Sequence, residues 1–140
     1  INNGVPLKSA PNITLPDGRN LYDISDSRIY PSCSVERKMS LDELAGCFTR
    51  SRERFEREFQ RATDHKAKVF LLVECASYEQ ILRHNYRSRF RPKSYIASLC
   101  AWVVRYNLTP VFCEPGTSAK LIREFLYRDI KERLERGEYG

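Results

Sequence analysis

The stretch Val35-Glu-Arg-Lys-Met-Ser-Leu-Asp42 joins a short run of strand character to the start of a helix. Side chains two residues apart on a strand project from the same face, so Glu36 and Lys38 should point together, and Val35 and Arg37 should point the other way. A solvated cluster of charges is the ordinary explanation of such a run. The surrounding sequence has to show whether it is a site.

An acidic residue upstream of Glu36 could form a metal-binding site together with it. Asp26 lies ten residues before Glu36, and Pro31 falls in the turn between them. We predict a hairpin of strands at residues 21–29 and 32–38, which would bring Asp26 beside Glu36 as hard oxygen ligands for a divalent cation. Such a metal lowers the pKa of a bound water, and Lys38 could orient that water or offset charge on a phosphate. The pattern favours hydrolysis of a phosphodiester.

The same residues carry a resemblance to a known family. Glu36-Arg37-Lys38, three further residues and Asp42 reproduce the second half of the motif of XPF-type structure-specific nucleases. Where that family has Gly-Asp-Tyr, this chain has Ser-Asp-Ser around Asp26 in a short register, or Tyr-Asp-Ile around Asp23 in a longer one. Both acids remain candidates for the upstream metal ligand, and Asp26 is preferred because Pro31 then falls where eukaryotic members of the family also carry a turn proline.

The resemblance extends over residues 20–135 and implies both a fold and an activity. The fold would be α/β and restriction-endonuclease-like, with a central mixed sheet flanked by helices on both sides. The activity would be a metal-dependent DNA endonuclease of the repair or recombination type, acting on branched or otherwise structured DNA with Mg²⁺ or Mn²⁺. The residues implied are Asp26, Glu36, Arg37, Lys38 and Asp42 for catalysis, and Asp26, Glu36 and alternatively Asp23 for the metal, with the backbone carbonyl of Arg37 as a further ligand.

Two departures from the family pattern keep a second function open. The Gly of Gly-Asp-Tyr is missing, and nothing in residues 1–18 resembles the Asp-x-Arg-Glu of the family's first strand. Because the chain opens on Ile1, we expect a fragment of a longer protein, with residues 1–19 as an irregular entry that has lost part of that strand and residues 20–137 as the nuclease domain. The alternative is a catalytically inactive pseudo-nuclease that serves as a DNA-binding or dimerisation module.

Composition supports an intracellular protein with a polyanionic partner. The 140 residues suit one domain, and 24 Lys and Arg against 18 Asp and Glu give a net charge of +6. Five scattered cysteines without a C-x-x-C spacing indicate reduced thiols. No apolar run approaches the roughly 18 to 20 residues of a membrane span. We expect a soluble protein without a membrane partner, cytoplasmic, or nuclear in a eukaryote.

Helix and strand signals follow the motif in order. Ser40 and Glu43 form a capping box that starts a helix at Leu41, with a bend near residues 49–51. Asp42 then serves either the helix start or as a brace for Arg37 or Lys38. Residues 68–74 are typical of a central strand ending on Glu74. We expect Glu74 to be solvated, with a supporting position near the active edge as the alternative. Further segments are a capped helix from Ser77, a helix at 93–106, a strand at 108–113 and a last helix ending at Gly137. Pro110 makes residues 108–113 either an edge strand or the beginning of a strand.

Two groups of basic residues are candidates for DNA binding. Arg54, followed by Phe55, resembles an arginine that the family keeps near the phosphate; the alternative is a solvated charged face. Residues 83–93, which we call the basic loop, interleave cations with Tyr86 and Phe90, which could provide a platform for a base or sugar. An exposed loop of no consequence is the alternative for that segment. The DNA-binding residues predicted in this way are Arg54, Arg87, Arg89, Arg91 and Lys93.

The last two helices are predicted to form a homodimer interface. The helix at 93–106 carries apolar residues around more of its circumference than one sheet face could cover. Isologous pairing is the commonest way to bury such a surface.

Overall fold

The computed structural model describes Val5–Pro6, Arg28–Ile29 and residues 32–137. The chain forms two compact units, one made of residues 1–34 with 120–140 and the other of residues 35–119. The predicted boundary between an entry segment and a nuclease domain at residue 20 lies outside the described residues and stays a prediction.

Five strands and five helices make up the described part of the chain. They are β1 (Val5–Pro6), β2 (Arg28–Ile29), β3 (Cys33–Lys38), α1 (Leu41–Phe48), α2 (Arg52–Asp64), β4 (Lys68–Glu74), α3 (Tyr78–Leu82), α4 (Pro92–Arg105), β5 (Leu108–Cys113) and α5 (Pro115–Glu135).

A three-stranded parallel sheet flanked by helices is the framework, with the strand order β3-β4-β5. β4 and β5 are aligned from Val69 opposite Leu108 to Glu74 opposite Cys113. Helical segments connect the successive strands, as parallel pairing requires. β4 is thus the central strand that its apolar run predicts, and β5, with Pro110, is an edge of this sheet.

The predicted hairpin does not form among the described residues. β2 pairs antiparallel with β1, with Val5 opposite Ile29, whereas β3 pairs with β4. The sequence indicated strand character at both places, but strand character alone does not select the partner. The antiparallel strand that would make the sheet mixed was predicted mainly from residues 21–27, which lie outside the described residues.

The main core of the unit at residues 35–119 covers one face of β4. Val69, Leu71 and Val73 alternate along this strand and pack into one cluster with buried residues of α1, α2 and α4. Aromatic rings fill its centre, with Trp102 at 4.3 Å from Phe48 between ring centroids. Most of the apolar surface of α4 packs into this core, where its buried residues are Tyr95, Leu99 and Trp102.

Capping chemistry sets the start of α1, as predicted. The Glu43 N–H donates to the Ser40 hydroxyl at 3.1 Å, and the Glu43 carboxylate accepts from the Met39 N–H at 3.3 Å. The predicted interruption is also present, because the Ser51 N–H turns back to the Gly46 carbonyl at 3.0 Å and α2 begins only at Arg52. The site residues of β3 are therefore followed directly by a helix with fixed ends.

In the other unit, α5 is joined to the start of β3. Asp129 accepts from the Ser32 backbone N–H at 3.1 Å and from the Ser32 hydroxyl. The helix is followed by Gly137 at a φ of 78°, a left-handed conformation that glycine adopts without strain and that ends helices. The predicted stop at Gly137 is confirmed.

Candidate active site and phosphate-binding surface

Glu36 and Lys38 lie on one face of β3, as the two-residue period predicts. The Lys38 Nζ is 3.2 Å from the Glu36 Oε1, and it is 3.9 Å from the Glu43 Oε1 at the start of α1. The Lys38 side chain is only 9% exposed, whereas Glu36 and Glu43 remain open to solvent at 35% and 44%. A buried ammonium is therefore held between two carboxylates that can still reach a ligand.

Phe55 of α2 supports this ammonium from the core side. The Lys38 Nζ lies 4.4 Å from the centre of the Phe55 ring, and the Arg54 guanidinium carbon lies 4.8 Å from the same centre. Cations are attracted to an aromatic face at such distances. Lys38 and Arg54, which are 16 positions apart in sequence, thus contact the same ring.

Cys47 completes the inner side of the cluster. Its side chain is buried in α1, and burial raises the pKa of the thiol while the neighbouring Lys38 ammonium acts in the opposite direction. The thiol is thus held in its neutral form.

Arg37 points to the opposite face of β3, where it meets Glu74 at the end of β4. The Arg37 Nε donates to the Glu74 carboxylate, which is 2% exposed. The hydrogen bond from Arg37 lowers the pKa of Glu74, and a hydrogen bond with Ser118 acts in the same direction. Our expectation of a solvated Glu74 is therefore wrong: a paired guanidinium allows the carboxylate to be buried. The Arg37 side chain is separated from the Glu36–Lys38 face by the strand itself.

Asp42 takes a role that the sequence did not predict. Its Oδ1 accepts from the Ser88 backbone N–H at 2.6 Å, joining the first turn of α1 to the basic loop. Within residues 32–137, no ion pair connects Asp42 with Arg37 or Lys38, so the predicted brace is not formed there. An acid in the first turn of a helix still interacts favourably with the helix dipole.

The basic loop turns its cations outward and its aromatic rings inward. The exposed residues include Arg87, Arg89, Arg91 and Lys93. Tyr86 and Phe90, by contrast, are partly buried against the core, and the Tyr86 hydroxyl donates to the Phe90 carbonyl at 2.5 Å. Both rings contact core residues, and the base platform that they could provide stays a prediction.

Local bonds give this loop a fixed shape. His84 has a φ of 56°, and its Nε2 lies 2.7 Å from the Ser88 carbonyl oxygen. The Phe90 ring also stacks on Phe48 at the end of α1, 6.0 Å between centroids. Together with the Asp42–Ser88 bond, these contacts hold the loop along α1 and present its arginines as a preformed cationic edge.

The two upstream acids, Asp23 and Asp26, lie outside the described residues. Among the residues that are described, no group of three or more His, Cys, Asp or Glu side chains could hold a metal ion. The donor chemistry of Glu36 and of the Arg37 carbonyl suits a hard divalent cation as part of a set that needs a further acid. Glu43 is the carboxylate that the sequence interpretation missed, because its capping role fully explained its position.

An α/β domain with a carboxylate–lysine pair on a sheet strand, beside exposed arginines, is typical of proteins that act on nucleic-acid phosphates. Comparison with family models gives the particular family: the ERCC4 domain model matches residues 10–125. The chain therefore belongs to the ERCC4 domain family, the XPF-type structure-specific nucleases, as the Glu36–Asp42 motif indicated. No curated protein and no solved structure matches the chain significantly.

Family membership carries several general properties. The family is one of structure-specific nucleases, hydrolases that bind DNA and typically depend on divalent metal ions. None of the helices in the described part of the chain combines the length and the apolar character that crossing a bilayer requires.

Proposed function

We propose that the chain is a Mg²⁺- or Mn²⁺-dependent DNA endonuclease that hydrolyses phosphodiester bonds in branched or otherwise structured DNA. The observation that supports this most directly is the Glu36–Lys38 pair, 3.2 Å apart and fixed between Glu43 and the Phe55 ring. A reactive carboxylate–ammonium pair has to be held in place before the substrate arrives. The proposal includes the restriction-endonuclease-like fold, with Asp26 or Asp23 as the further acid of the site.

Each residue of the site has a distinct task in this proposal. Glu36, the Arg37 carbonyl and Asp26, or alternatively Asp23, would hold the metal. When bound, the metal supplies Lewis-acid activation of a water molecule and neutralises phosphate charge. Lys38 would position that water or stabilise the negative charge that develops on the phosphate oxygens. Its burial against Phe55 restricts the ammonium to one position, so little reorganisation is needed during the reaction.

The cations around this centre would bind the phosphates of the DNA. Arg54 lies against the same ring as Lys38, which suits a contact with the phosphate being cleaved or its neighbour. Arg87, Arg89 and Arg91 would contact the backbone further along, with Lys93, because arginine binds phosphate in a bidentate manner. Asp42 contributes by holding Ser88 and hence the loop, rather than by touching the substrate.

The substitution Glu36→Gln tests the activity. It should abolish cleavage of a branched DNA in Mg²⁺ with little change in circular dichroism or in the midpoint of thermal unfolding, because the side chain keeps its shape and loses its charge. Glu58→Gln, an exposed glutamate on α2, is the matched control and should remain active. Full activity of Glu36→Gln would remove the hydrolase proposal.

A second candidate is a non-catalytic DNA-binding or dimerisation module. It is favoured by one observation: among the described residues, Glu36 lies in no cluster of three possible metal-binding side chains. Calorimetric titration of the unmodified protein with Mg²⁺ and Mn²⁺ separates the two candidates. Stoichiometric binding that Glu36→Gln eliminates favours the nuclease. Tight binding of branched DNA, with neither metal binding nor cleavage, favours the module.

A further inference from the structure

The turn between α1 and α2 forms a solvent-open pocket, of which the proposed roles use only Arg54. Its volume is about 560 Å³. We call it the arginine pocket, because four of its seven lining residues are arginines and one is an acid: the lining is Thr49, Arg50, Ser51, Arg52, Glu53, Arg54 and Arg57. Of these, only Arg54 was singled out by the sequence interpretation.

Three of the four arginines of the arginine pocket form no ion pair with the described residues. Arg52 is paired, with its Nε 2.7 Å from the Glu56 Oε1. For Arg50, Arg54 and Arg57, no carboxylate of the described residues lies within ion-pair distance. An excess of positive charge lining one pocket favours an anionic ligand. The pocket therefore favours a ligand with more than one negative oxygen.

Backbone contacts keep the pocket open without a ligand. The Ser51 N–H donates to the Gly46 carbonyl at 3.0 Å, and the Thr49 hydroxyl donates to the Ala45 carbonyl at 3.0 Å. Both bonds anchor the turn to the last turn of α1. The arginines are thus carried on a fixed frame, which reduces the entropy lost when they bind.

The pocket shares one residue, Arg54, with the surroundings of the candidate active site. Arg54 lines the pocket and lies on the Phe55 ring that supports Lys38. A DNA strand whose phosphate reached Lys38 could extend past Arg54 without leaving the protein surface. Arg50 and Arg57 line the same pocket as Arg54 and are therefore the candidates to contact a neighbouring phosphate of that strand.

We propose that the arginine pocket binds a second phosphate group of the DNA substrate, held mainly by Arg50 and Arg57. This inference rests on the proposed function and adds a contact to it. Guanidinium forks match the oxygens of a phosphate, and a pocket of this size accommodates the attached sugar as well. Both an internal phosphodiester and a terminal phosphate of a DNA strand have this chemistry, and the experiment distinguishes them.

The test compares two double variants that remove the same charge. Arg50→Gln with Arg57→Gln empties the pocket of two cations, and Arg61→Gln with Lys120→Gln removes two exposed cations elsewhere. Binding of a branched DNA is measured by fluorescence anisotropy across salt concentrations in Ca²⁺, with either a hydroxyl or a phosphate at the 5′ ends. One lost phosphate contact lowers the slope of log affinity against log salt by about 0.9, which is roughly eightfold in affinity at 0.1 M salt.

The outcomes assign the ligand. A slope reduced by about one in the pocket variant on both DNAs supports an internal phosphate, and a reduction only on the phosphorylated DNA supports a terminal one. Arg50→Lys with Arg57→Lys keeps the charge and should retain most of the slope. Equal slopes for the pocket and control variants, both with unchanged thermal midpoints, overturn the inference. That result would not affect cleavage by the unmodified protein, and the proposed function would stand. Failure of the unmodified protein to bind DNA would refute both.

Discussion

Replacing Asp42 tests whether one long-range hydrogen bond holds the basic loop against α1. The bond runs from the Ser88 N–H to the Asp42 Oδ1 at 2.6 Å and spans 46 residues of sequence. Asp42→Ala removes the acceptor, whereas Asp42→Asn keeps a side-chain oxygen in the same place without the charge. The two variants therefore separate the hydrogen bond from the charge.

The expected magnitude follows from the type of bond. A hydrogen bond to a charged group contributes about 1.5–3 kcal/mol, and a neutral one about 0.5–1.5 kcal/mol. Taking about 2 kcal/mol for the carboxylate, Asp42→Ala should raise the population of the open loop roughly 30-fold, since about 1.4 kcal/mol is a tenfold change. Asp42→Asn should raise it only a few-fold. Both variants also lose the interaction with the helix dipole, about 0.3–1 kcal/mol.

Amide hydrogen exchange at Ser88 measures this opening directly. Protection of the Ser88 amide should fall strongly in Asp42→Ala and slightly in Asp42→Asn, while amides in the centre of β4 change much less in both. Glu53→Ala, an exposed acid in the first turn of α2, controls for loss of a helix-start charge. If Ser88 exchanged at the same rate in Asp42→Ala as in the unmodified protein, the hydrogen bond would not hold the loop, and Asp42 would have no part in fixing the arginines.

Three further predictions concern the loop, the buried ion pair and the oligomeric state. Changing Arg87, Arg89 and Arg91 to Glu should flatten the salt dependence of DNA affinity by up to about 3 in slope; an unchanged slope would place the DNA elsewhere. Pairing with Arg37 lowers the pKa of Glu74 in the folded protein. The stabilisation by this pair should therefore be complete above the usual glutamate pKa of about 4.3, and it should be lost as the pH falls through the lower pKa of the folded state. Urea unfolding from pH 7 to 3 should show a smaller acid loss in Glu74→Gln, and equal losses would contradict this role. Sedimentation at micromolar concentration should show a homodimer, against a monomer of 16.4 kDa.

Local sequence rules predicted the parts of the site that depend on neighbouring residues. Strand alternation placed Glu36 and Lys38 on one face, and the measured distance between them agrees. The capping box located the start of α1, and Pro110 limited residues 108–113 to an edge strand or a strand beginning, because each effect acts within a few residues. The ERCC4 family itself could be recognised from seven residues, Glu36 to Asp42.

Tertiary contacts produced the features that the sequence did not predict. Ser88 carries no signal for a bond to Asp42, because any backbone N–H could serve as the donor. Glu74 at a strand end looked solvated, and its burial depends on Arg37 and Ser118 being brought to it by other elements. The direction in which Tyr86 and Phe90 face is likewise set by core space near Tyr95, 5.2 and 5.3 Å away between ring centroids.

Arg37 and Lys38 point to opposite faces of β3 and contribute to the site in different ways: Lys38 is part of it, and Arg37 stabilises the strand that carries it. A slip of one residue between paired strands would exchange the two faces and turn Glu36 and Lys38 away from Phe55. The Arg37–Glu74 pair joins β3 to β4 on the far face, and its carboxylate is too deeply buried to be left without a cation. A slipped register would therefore cost the buried pair as well as the contacts of Lys38. In this way the arginine between the two site residues stabilises the register on which their position depends.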